Sequence, residues 1–108
     1  MELTPQQISV LERLHVNGFE IVAFPMYASH VGVRNVNCAA LLNAVASGGF
    51  TVFGSASYLI GGNLTVRVTH QDKDWFVWKQ ERLEVTPARL AELEKFTAEL
   101  STMLLPTA

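Results

Sequence analysis

Asn63-Leu64-Thr65-Val66-Arg67-Val68-Thr69-His70, then Gln71-Asp72-Lys73-Asp74, then Trp75-Phe76-Val77-Trp78, is the stretch that decides the fold class. In its first part Leu64, Val66 and Val68 share one side, and Thr65, Arg67 and Thr69 the other. Successive side chains leave a strand on opposite faces, so this alternation reads as a half-buried antiparallel strand. The four polar residues make a loop and the aromatic run a second strand, which together predict a β-hairpin. Trp75 and Val77 point to one side of that second strand, Phe76 and Trp78 to the other. Large aromatics on both sides imply that both faces are covered, one of them by a helix. The other cover is either a partner chain or a connection over residues 55–62 that carries Tyr58, Leu59 and Ile60.

Working outward, residues 19–24 (Phe-Glu-Ile-Val-Ala-Phe) predict a strand closed by Pro25, residues 31–34 a short one, and residues 50–53 another after the Gly48-Gly49 turn. Residues 38–46 (Cys-Ala-Ala-Leu-Leu-Asn-Ala-Val-Ala) fit a short helix or a buried strand, because periodicity does not separate the two in a short apolar run. Their strand-like neighbours favour strand. At the two ends, Thr4-Pro5 and Thr86-Pro87 each place a capping hydroxyl before a proline at the first helical position. The first helix carries Ile8, Leu11 and Leu14 on one face and stops at Gly18. The last carries Leu90, Leu93, Phe96, Leu100 and Met103 at helical spacing and ends at Pro106. Arg89, Glu92, Lys95 and Glu99 lie off that stripe on a solvated face. The expectation is an α+β fold: an antiparallel sheet of about five strands, with an N-terminal and a C-terminal helix packed on one face. No linker divides residues 1–108, which read as a single domain.

Charge is distributed unevenly. Of 18 charged residues, only Glu20 and Arg34 fall within residues 14–66. Charged side chains are rarely buried unpaired, so a stretch this poor in them is mostly enclosed, by its own flanks or by another copy of the chain. The net charge of −2 offers no basic stripe, which argues against a nucleic-acid binder. Asn43, Ser47, Gly48, Gly49, Thr51, Gly54 and Ser55 interrupt every apolar window, so no membrane span is expected. Met1-Glu2-Leu3-Thr4-Pro5 runs straight into the amphipathic pattern without a signal peptide. With the lone Cys38, which excludes an internal disulfide, this points to a cytoplasmic chain.

Chemistry is sparse. Cys38 with His15, His30 and His70 is the only set that could form a nucleophile or a metal site, and its spacing lacks the paired ligands of zinc sites. The glycine pairs at 48–49 and 61–62 lack the strand, helix and Lys-Ser/Thr step of a phosphate loop. No catalytic residue, metal or cofactor is expected. Arg34, Arg67 and Arg82 could hold an anion bidentately if one sheet face gathered them. Phe24-Pro25-Met26-Tyr27 either lines a pocket or turns a corner. The composition therefore points to a non-catalytic module that self-associates as a two-fold homodimer. Its interface or pocket residues would be Trp75, Phe76, Trp78, Tyr58, Leu59 and Ile60. The alternative is a domain binding a small-molecule ligand in an apolar cavity, with Tyr27, His30, Arg34, Asn43 and Arg67 as its polar contacts.

Overall fold

Thr4 starts the first element by local chemistry alone. Its hydroxyl accepts from the Gln7 backbone N–H while Gln7 Oε1 accepts from the Thr4 N–H, which closes a capping box around Pro5. The computed structural model describes residues 3–104. In it helix α1 (Pro5–Val16) ends at Asn17 and at Gly18, whose φ of +93° suits a residue without a side chain. Eight strands follow: β1 (Glu20–Val22), β2 (Val31–Asn35), β3 (Cys38–Ala44), β4 (Phe50–Ile60), β5 (Asn63–Leu64), β6 (Val66–His70), β7 (Lys73–Trp78) and β8 (Glu81–Glu84). Helix α2 (Pro87–Leu104) comes last, and Thr86 Oγ1 accepts from the Arg89 N–H at its start. The expected stop at Pro106 lies outside the described residues.

The fold is α+β, as the hairpin and the two capped helices predict. Strands β1 to β5 form a five-stranded sheet in sequence order, and β6 to β8 a separate three-stranded one. Every pairing is antiparallel. Register decides which residues share a face. Val33 lies across from Ala40, Cys38 across from Tyr58 and Ala44 across from Phe50. These point toward the helices, where Val10 and Leu14 of α1 and Phe96 and Leu100 of α2 complete the core. The opposite face is closed by the chain after β1. A Cβ on Gly32 would stand 2.5 Å from the Val22 carbonyl oxygen and 2.6 Å from the Phe24 ring, so only glycine admits that ring. His30 stacks on Phe53 with ring centroids 4.3 Å apart. With both faces covered, Cys38, Ala39, Ala40, Leu41 and Leu42 are all buried. Residues 38–44 are thus strand, as their neighbours suggest.

Five expectations are corrected. On α1 the buried positions are Gln7, Val10 and Leu14, whereas Ile8 is exposed. The reason is Gln7 Nε2, which donates to the carbonyls of Val45 and Gly49 at the β3–β4 turn and so rotates the helix onto its own face. Residues 55–60 are not a connection but the second half of β4. The register passes from Leu41↔Phe53 to Ala39↔Ser57, so Gly54, Ser55 and Ala56 together face Ala40. Gly54 takes φ +68° in this bulge, and the strand bends there instead of ending. Residues 63–70 are broken at Thr65, which turns inward and donates its hydroxyl to the Tyr58 carbonyl. Finally, Val66 and Val68 face away from the core and all five residues of β6 are exposed. The inward position beside β6 is filled by Phe76, which lies across from Arg67. The predicted loop also shortens to Gln71 and Asp72, both at positive φ, the form of a two-residue hairpin turn.

Candidate functional site

Strand β4 is paired over most of its length on one side only. Residues 50–53 and 57–58 pair with β3 on either side of the bulge, whereas on the outer side only Leu59 and Ile60 pair, with β5. Val45 N–H donates to the Gly49 carbonyl at the turn, and antiparallel ladders alternate bonded and unbonded pairs. Thr51 and Phe53 therefore bond to β3, and the N–H and C=O groups of Phe50 and Val52 turn outward. Among the described residues nothing pairs with them.

Free edges are usually guarded by charge, brevity or a bulge. In this protein β1 is three residues long and carries Glu20, β6 carries Arg67, and β8 carries Glu81, Arg82 and Glu84. Strand β4 has no charged residue in 11, and its one guard is the bulge at Gly54.

Beside this edge runs an open groove of about 940 Å³. Strand β4 forms one side and α2 another, through Leu90, Leu93 and the small or polar Glu94, Thr97 and Ser101. Phe76, Thr65 and Arg67 close the third. Arg67 does not reach into the groove as a free cation. Its guanidinium is 2.7 Å from Asp74, whose other oxygen accepts from Thr69 at 2.6 Å. These two partners hold the Asp74 carboxyl below the usual range, the threonine hydroxyl contributing most.

Of the expected ligand contacts, Tyr27 and Arg67 line this groove, and His30 touches it through Phe53. The other two lie apart from it. Arg34 Nε donates to the Val36 carbonyl, and Asn43 lies across from Thr51. Of the expected interface residues, Phe76 and Tyr58 are buried and stacked 5.2 Å apart, with Phe76 reaching the groove. Leu59 is buried and Ile60 half-buried at the pairing with β5. Trp75 and Trp78 stand on opposite faces of β7, half-buried, each beside a cation: Arg82 at 4.7 Å and Lys79 at 5.2 Å from the ring centres. Trp75 shares its side with Val66, Val68 and Val77 on the outer face of the small sheet. The sequence reading missed the α2 wall. Its signal was present, since Glu94, Thr97 or Ala98, and Ser101 recur at three- and four-residue spacing beside the apolar stripe.

The cysteine and histidine set is not assembled. Cys38 is fully buried toward the helices, where burial and then the Glu92 carboxylate push its thiol up to about 12. His30 lies on the other sheet face with Phe53, and His15 and His70 are exposed on other elements. Glu92 itself accepts from Asn37 and from the Tyr58 hydroxyl, a lock between α2 and the sheet. Among the described residues no three His, Cys, Asp or Glu side chains are placed to hold a metal ion, and no helix is long and apolar enough to cross a membrane. In comparisons with known proteins, no family model, no curated protein and no solved structure matches the chain.

Proposed function

We propose that this protein is a non-catalytic interaction module that takes up an extended polypeptide along strand β4. The observation that carries the reading is the uncharged outer edge over residues 50–56, open beside a groove whose other walls are α2 and β6–β7. Main-chain groups of an incoming strand would satisfy those of Phe50 and Val52, and the groove would take alternate side chains. The charge-poor middle of the chain fits the same use, because interface cores are depleted in charge. The single thiol suits a reducing compartment, and we place the protein in the cytoplasm.

Amide hydrogen exchange tests this. The amides of Phe50 and Val52 are expected to slow when the protein is concentrated, or when a peptide with the sequence of residues 50–57 is added. Rapid exchange under every condition removes the reading. A second reading is favoured by one observation: Tyr27 and Arg67, both expected from sequence to contact a ligand, line the same groove. A small apolar molecule with one hydrogen-bonding end would fit there. Native mass spectrometry of fresh protein would show it as an added mass lost on denaturing.

A further inference from the structure

Resting on the reading of β4 as a strand-accepting edge, we infer that its occupant is β4 of a second copy, paired antiparallel about a two-fold axis at Val52. Three observations carry this. First, an incoming strand must lie beside residues 50–56 without presenting an unpaired charge to an edge that has none to offer. Among the described residues the one long strand that is both uncharged and free on a side is β4 itself. Second, an antiparallel edge is complementary to itself. With the axis at Val52, its N–H and C=O meet the C=O and N–H of the partner's Val52, and Phe50 comes opposite the partner's Gly54. Third, the same register places Phe53 across from the partner's Thr51. Phe53 is 45 % exposed, and Thr51 is exposed on the same sheet face. Pairing covers an aromatic ring that one copy leaves open.

The bulge sets the limit of this contact. Pairing runs over residues 50–54, and beyond Gly54 the strand bends toward β5, so the partner's chain leaves the edge there. The two five-stranded sheets become one of ten strands, with the α2 helices of both copies on the same side.

The test uses the whole chain and two substitutions with different hazards. Val52→Pro removes an outward N–H and no bond to β3, as proline is tolerated where the N–H faces away from the sheet. Thr51→Glu alters an exposed residue, and in the paired form it sets two like charges diagonally across the axis. The expected result is a dimer by native mass spectrometry and light scattering, and concentration-dependent slowing of the Phe50 and Val52 amides. Each substitution should weaken the dimer ~10-fold or more while circular dichroism stays unchanged. A dimer that survives Thr51→Glu in folded protein overturns the inference and moves the contact to the Val66, Val68 and Trp75 face. A monomer whose edge amides slow only with the added peptide also overturns it, yet leaves the strand-accepting reading in place. A monomer whose edge amides never slow removes both.

Discussion

Strands β3 and β6 are both short and antiparallel, and their surroundings are opposite. Cys38 to Leu42 of β3 are buried on both sides, between α1 and α2 on one face and the Phe24 segment on the other. All five residues of β6 are exposed, and the strand is held by its ladder to β7 and by the Arg67, Thr69 and Asp74 cluster. The difference teaches where cohesion resides. Strand β3 is stabilised by apolar burial, worth roughly 25 cal/mol per Å² removed from water. Strand β6 is held by backbone hydrogen bonds and exposed charge pairs, which contribute little individually.

The largest effect should come from the β3 side. Leu42→Ala is expected to cost about 2–5 kcal/mol in urea unfolding, the range for a fully buried leucine. A loss below about 1 kcal/mol would break the contrast at its stronger end. Gly32→Ala comes next, at about 1–3 kcal/mol, since the new methyl meets both the Val22 carbonyl and the Phe24 ring. Gln7→Ala should cost about 2 kcal/mol by removing one side of the capping box and both bonds to the β3–β4 turn. Val68→Ala on β6 should stay below about 1 kcal/mol, and a cost equal to that of Leu42→Ala would show that β6 is covered in solution.

The smallest effect concerns pH. The folded-state pKa of Asp74 is depressed, so its contribution is full above the ordinary carboxylate value near 4 and vanishes as pH falls through the lowered one. Asp74→Asn should therefore be less stable than the parent at neutral pH, with the gap closing in acid. A gap that is constant from neutral pH to pH 2 would detach the carboxylate from β6.

What the sequence disclosed follows the same division. Both helix starts were legible because capping is a contact within four residues, and α2 buries the stripe its periodicity marks. The hairpin was legible from alternation, which shows which residues share a side but not which side meets the core. The core beneath it is decided by Phe76 meeting Tyr58, a contact 18 residues apart. Residues 55–60 read as a connection because Gly54 and Ser55 resemble turn residues, and only pairing with β3 makes them a bulge. Tyr27 and Arg67, both expected among the ligand contacts, line one groove. The groove that joins them could not be foreseen, because its walls come from β4, β6, β7 and α2, which are distant in sequence.

Tyr58 has a consequence beyond its place in the core. Its backbone pairs with Cys38, its carbonyl accepts from Thr65, its ring stacks on Phe76 and its hydroxyl donates to Glu92. One residue thus joins β3, the start of β6, β7 and α2. Neither sheet can melt without breaking a bond that the other sheet or the last helix also depends on. Two sheets of such different burial should therefore be lost in a single two-state transition, with the exposed hairpin sharing the cooperativity of the core to which Tyr58 fastens it.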